Sequence, residues 1–168
     1  MKKSAKQRKR RSTKKVKVQK ALSHVPDKLR KMIAEDVQRY LMVLGMNHYR
    51  SKVFYMKKDI EHEGHSCEEG RVAAAANVDM RYLSANIRIY PYMVDSWKEK
   101  NMDDEDVHEI IAHEVAHIAT HHMFRLATSV YKDEGETKDA WESLTTVVGR
   151  LAHEVDKRRR GFKKTNEK

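Results

Sequence analysis

Five residues in the second half of the chain constrain its fold more than any other feature: His113-Glu114-Val115-Ala116-His117, flanked by Ile110-Ile111-Ala112 and Ile118-Ala119. Three polar side chains inside an apolar helical run are costly to bury unless something pairs with them. On an α-helix His113 and His117 lie one turn apart, roughly 6 Å along the axis and about 40° around it, so both rings can reach one ion. Zinc takes neutral imidazole nitrogens at about 2.0 to 2.1 Å in a tetrahedral set, and a catalytic site leaves one position for water. Glu114 is next to that position. A metal lowers the water's pKa toward about 7 and polarises a carbonyl while a carboxylate moves the proton, so His-Glu-x-x-His supplies the parts for metal-assisted hydrolysis. In a chain with ten histidines, two of them one turn apart can also simply face solvent.

His108, His121 and His122 share this helix but fit the ion poorly. His121 is roughly 12 Å along the axis from His113, and no glycine stands at position 120 to break the helix. Thr120 and Met123 also exclude the longer metzincin pattern. A third ligand must come from elsewhere, and the helix expected from near Glu136 offers Glu136, Asp139, Glu142 and His153. Glu142 is preferred because Thr145, Thr146 and Gly149 form with it a strip of modest side chains, opposite the aliphatic strip of Leu144, Val148, Leu151 and Val155. A strip of that kind lets two helices come close enough to share an ion.

Around Glu142-Ser143-Leu144-Thr145-Thr146-Val147-Val148-Gly149 the chain resembles the glutamate helix of thermolysin-like gluzincins, and in size the stand-alone minigluzincins. The resemblance covers roughly residues 72–155. It implies a zinc metallopeptidase with one Zn2+ per chain, held by His113, His117 and Glu142, with Glu114 as the catalytic base. It further implies a sheet-edge strand, Asn86, Ile87, Arg88, Ile89 and Tyr90, that holds an extended peptide. The gluzincin Asp four residues after the ligand Glu is replaced by Thr146, whose hydroxyl can accept the same hydrogen bond more weakly. The large C-terminal domain that supplies thermolysin's oxyanion stabiliser has no counterpart, which leaves Tyr131 and Tyr90 as candidates. SprT-like proteases also join a His-Glu-x-x-His helix to basic nucleic-acid-binding segments but favour a third histidine, for which His153 is available.

Hydrophobic spacing organises the rest. Leu29, Ile33, Val37, Leu41 and Leu44, after Pro26-Asp27 and before Gly45, predict a first helix. Val53 to Met56, Val72 to Tyr82 and Asn86 to Tyr90 predict three strands, Ala73 to Ala76 being the least strand-like part, and Pro91 closes the last of them. The acidic Asp103 to Asp106 predicts the start of the His-Glu-x-x-His helix, which should run to about Ser129. The last helix should fade into a basic tail. The fold class expected is therefore α+β and zincin-like: N-terminal helix, small sheet, active-site helix, glutamate helix.

Charge divides the chain. Residues 1–20 hold 11 Lys or Arg and no acid, and residues 157–168 hold seven with one acid, so the +17 of the ends exceeds the formal +10 and leaves residues 21–156 at −7. The expected organisation is a disordered basic arm over 1–20, a catalytic domain over 21–156 and a basic tail over 157–168. Arg8, Lys9, Arg10, Arg11, Lys14 and Lys15 can neutralise DNA or RNA phosphates, can only solubilise the chain, or can cover the cleft of an inactive precursor. A nucleic-acid-associated protein with a structural or vestigial zinc site is thus the rival to the peptidase. One cysteine, Cys67, excludes an intrachain disulfide; with His62 and His65 it offers a second metal site or a thiolate for the zinc, or is merely a loop thiol. Neither a secretory signal nor an apolar run of membrane-spanning length is present, so a cytoplasmic location and no membrane partner are expected. The nine methionines, Trp97 and Trp141 read as core or groove residues.

Overall fold

A computed structural model of the chain describes residues 25–59, 71–130 and 134–166. Helix α1 spans Asp27–Val43, followed by strands β1 (Arg50–Tyr55), β2 (Ala74–Asp79) and β3 (Ser84–Ile89). Then come the short helix α2 (Pro91–Lys98) and the long helices α3 (Asp104–Val130) and α4 (Glu134–Asn166). The fold is α+β as expected: an N-terminal helix, a three-stranded sheet, a helix bearing His113 and His117, and a C-terminal helix bearing Glu142.

Local chemistry sets the ends of these elements. Gly45 closes α1 at φ +71°, the left-handed conformation glycine takes without a Cβ clash. Its N–H donates to the Met42 carbonyl at 3.2 Å and the Met46 N–H to the Leu41 carbonyl at 2.7 Å, the paired bonds of a Schellman stop. Asp103 caps α3: its Oδ1 accepts from the Glu105 and Asp106 amides at 2.8 and 2.9 Å, and Asp106 Oδ2 accepts from the Asp103 amide at 2.8 Å. Pro91, read from sequence only as the end of a strand, occupies the first turn of α2, where a missing N–H costs nothing.

The sheet order is β1-β3-β2, with β1 parallel and β2 antiparallel to β3. This corrects the expectation that Asn86 to Tyr90 form a sheet edge. β3 is the central strand, bonded on both sides, and Ala85, Ile87 and Ile89 point into the core, fully buried. Tyr90 lies just past the strand, buried, with its N–H on the Ala73 carbonyl at 3.0 Å. The strand at the edge beside α3 is β2.

Leu29, Ile33, Val37 and Leu41 of α1 pack with Ile87, Ile89, Val107, Ile111 and Val115 in one core. A polar seam joins the three long helices at its margin. Buried Asp36 of α1 meets His108 of α3 at 2.5 Å and pairs with Arg39, whose Nε also reaches Asp156 of α4 at 3.2 Å. Tyr40 of α1, with its hydroxyl's ionisation suppressed by burial, bonds His153 Nδ1 of α4 at 2.8 Å. His153 Nε2 in turn lies 3.0 Å from Glu105 of α3. Contrary to the expected fading, α4 continues to Asn166; Lys157 binds Glu105 at 2.7 Å and Arg160 lies 3.0 Å from Asp156, which ties the first basic turn down.

Candidate metal centre

His113 and His117 stand on α3 with their Nε2 atoms 3.1 Å apart. Glu142, from the facing helix α4, brings Oε2 to 3.6 Å from the first and 3.5 Å from the second. A tetrahedral ion with bonds of 2.0 to 2.1 Å has ligand atoms about 3.3 Å apart, so the three separations fit one face of such a shell. Among the described residues this is the only group of three or more His, Cys, Asp or Glu side chains close enough to share an ion. At 3.5 to 3.6 Å the carboxylate and imidazoles are in ion-pair range without forming good hydrogen bonds, the spacing expected of groups that converge on a third body.

Protonation favours ligation at His117 and opposes it at His113 until an ion displaces the proton. Burial pushes His117 down to about 4, which keeps its ring neutral and its Nε2 lone pair available. The facing Glu142 carboxylate holds His113 up, and the same pair holds Glu142 below its ordinary value. A two-nitrogen, one-oxygen donor set of this kind suits zinc.

Glu114 takes no part in the triangle. It is 7% exposed, and burial raises its carboxyl to about 7 against the opposing pull of His113 and of the Ala76 amide, which donates to it from β2. A divalent ion alongside would draw that value down.

α3 and α4 come together here because the side chains between them are small. A Cβ added to Gly149 would lie 2.9 Å from His113 Cα and 3.1 Å from its N, so only glycine allows this approach. Thr146, where the gluzincin pattern has Asp, donates to the Glu142 carbonyl at 2.9 Å and has its hydroxyl 3.5 Å from His113 Nδ1, at the outer limit of a hydrogen bond. His117 Nδ1 is buried and unpartnered among the described residues. Its ring is instead held by packing against the edge of Trp141, centroids 4.6 Å apart. Trp141 Nε1 donates to Thr120 Oγ1 at 2.8 Å; that hydroxyl donates to the Ala116 carbonyl at 3.0 Å and meets Thr145 Oγ1 at 2.9 Å, which satisfies it fully.

His113, His117 and Glu142 open into a cleft of about 720 Å³, walled on one side by Ala74, Ala75 and Ala76 of β2 and on the other by Lys138, Asp139 and Trp141 of α4. Asp139 shares the cleft but not the ligand group. His153, the alternative third ligand, is excluded because both its nitrogens are engaged by Tyr40 and Glu105. Tyr90 is buried away from the cleft, which removes it as an oxyanion stabiliser. Tyr131, the basic residues Arg8 to Lys15, and Cys67 with His62 and His65 lie outside the described residues. Sequence reasoning missed Trp141 as the neighbour of His117 and the Ala74 to Ala76 wall. The small size of those alanines signals a strand that a helix can approach closely.

Comparison with protein families, with curated proteins and with solved structures gave no match. The site therefore rests on its own geometry.

Proposed function

We propose that the protein is a zinc metallopeptidase in which His113, His117 and Glu142 hold the ion and Glu114 is the general base. The observation that carries this reading is a buried carboxylate, Glu114, on the same helix as a His-His-Glu triangle of zinc dimensions but outside it. When bound, zinc would supply Lewis acidity to the water and carbonyl beside it. Glu114 takes the proton from the attacking water and returns it to the leaving amine. The Ala76 amide holds the carboxylate in place for both transfers.

The peptide lies along β2. One edge of that strand pairs with β3, and Ala74 to Ala76 line the cleft beside Glu114, so an extended chain can add to the sheet next to the ion. The role expected of Asn86 to Tyr90 thus passes to β2. Among the described residues no helix is long and apolar enough to cross a membrane.

The test is hydrolysis of a mixed peptide library by zinc-loaded protein. Cleavage that stops on chelation and returns with added zinc is the expected result. Stoichiometric zinc without cleavage would leave the rival reading, a nucleic-acid-associated protein with a structural metal.

A further inference from the structure

Helix α4 turns Thr145, Gly149, Ala152 and Asp156 inward, all buried. On another face it carries Ala140, Leu144, Val147, Leu151 and Val155, spaced by four, three, four and four residues. At about 100° per residue this row lies roughly 130° around the helix from the buried face, on the side away from Glu142. Val147 is 55% exposed, Leu151 61% and Val155 41%. A row of aliphatic side chains at helix-packing spacing, left open to solvent over about 24 Å, is the kind of contiguous apolar surface that marks an interaction site. At its N-terminal end it runs into an apolar cleft of about 310 Å³ lined by Met123, Phe124, Ala127, Ala140, Trp141 and Leu144.

The geometry points to a second copy of this chain as the occupant: two α4 helices pack antiparallel about a two-fold axis near Val147 and Val148. The spacing selects a helix, because alternating gaps of three and four make the ridge that another helix's groove receives. Charge selects the same helix reversed. Beside the row, roughly 60° from its centre, stands Glu136 near its N-terminal end, and Arg158 lies within about 20° of the centre near its C-terminal end. Antiparallel packing sets Glu136 of each copy against Arg158 of the other; parallel packing sets like against like. The same residue pairs then recur twice, as a two-fold interface requires. In this register Val155 of one copy reaches Ala140 and Leu144 of the other, at the mouth of the apolar cleft. Four turns of helix offer less than the roughly 800 Å² per partner of a standard stable interface, so the dimer is a weak one in exchange with monomer. Both metal clefts stay open, since Glu142 and Thr146 point away from the row.

Analytical ultracentrifugation of the full-length protein across micromolar concentrations tests this. A monomer–dimer equilibrium that weakens with added salt is expected. Val147→Glu and Leu151→Glu should each raise the dissociation constant roughly tenfold or more, by forcing a charge into the interface. Zinc content and thermal unfolding should stay unchanged, because both side chains are exposed. Arg158→Glu combined with Arg159→Glu should weaken the dimer as salt does. A wild type that stays monomeric throughout, or a dimer indifferent to both apolar-face variants, overturns the proposal. So does a monomer that binds anionic lipid vesicles and loses them in Leu151→Glu, which would assign the row to a membrane surface.

Discussion

Glu142 is the one member of the proposed ligand set from outside the His-Glu-x-x-His helix, and its removal separates the possible donor sets most cleanly. Glu142→Ala should lose zinc by more than the roughly 10- to 100-fold that loss of a supporting hydrogen bond costs, because two imidazoles leave half the shell to water. Asp139→Ala and His153→Ala should keep the metal, and Thr146→Val should weaken it less than tenfold, given the 3.5 Å reach to His113. Zinc content after gel filtration reads all four. Metal kept in Glu142→Ala and lost in Asp139→Ala would place the ligand three residues earlier. At this scale the sequence was most informative. Spacing along a helix is fixed by local geometry, so two histidines four apart and a strip of small residues could be placed without knowing the tertiary fold. Trp141 could not, since its contact with His117 crosses between helices and depends on how far α4 is rotated.

Between elements, the approach of α3 to α4 depends on Gly149. Gly149→Ala gains about 1 kcal/mol of helix propensity but drives a methyl into the backbone of His113, and overpacking of that kind costs about 1 to 3 kcal/mol. Because Glu142 lies two turns along the same face, zinc affinity should fall together with stability. Urea unfolding of the metal-free protein with a parallel zinc titration measures both; a more stable variant with unchanged affinity would mean the helices are not in tight contact there. The order of the strands was not legible in the sequence. Asn86 to Tyr90 and Ala73 to Ala76 differ in apolar content, but which of them is central depends on long-range pairing that no local pattern encodes. The richer strand took the centre, where both edges are paired and Ala85, Ile87 and Ile89 face the core. α2 was missed because a proline that ends a strand also starts a helix well, and the choice between the two rests with the residues after it.

For the whole molecule, the polar seam between α1, α3 and α4 makes stability depend on acid. The Lys157 ammonium and His153 hold Glu105 at about 2, below its ordinary 4.5. A carboxylate depressed on folding adds stability that is complete above about pH 4.5 and is lost as pH falls toward 2. Glu105 is 41% exposed, so solvent screening keeps that contribution below about 1 kcal/mol. Thermal unfolding of wild type and Glu105→Gln should therefore differ at pH 6 and converge near pH 2; a gap that persists at pH 2 would show that the loss is steric. The same contacts anchor the first basic residues after 156, Lys157 and Arg160, to the fold. Lys and Arg are good helix formers, and the fold supplies Glu105 and Asp156 as anchors, neither of which a count of charges reveals.

All three scales meet in the proposed division of labour on α3, in which two histidines bind the ion and the glutamate between them does not. Zinc stoichiometry and peptide hydrolysis measured together on Glu114→Gln test it most directly, because the amide keeps the side chain's shape but cannot take a proton. One zinc per chain with hydrolysis abolished is the predicted result. Loss of the zinc would make Glu114 a ligand, and hydrolysis at the wild-type rate would remove it as the base; either would contradict the assignment.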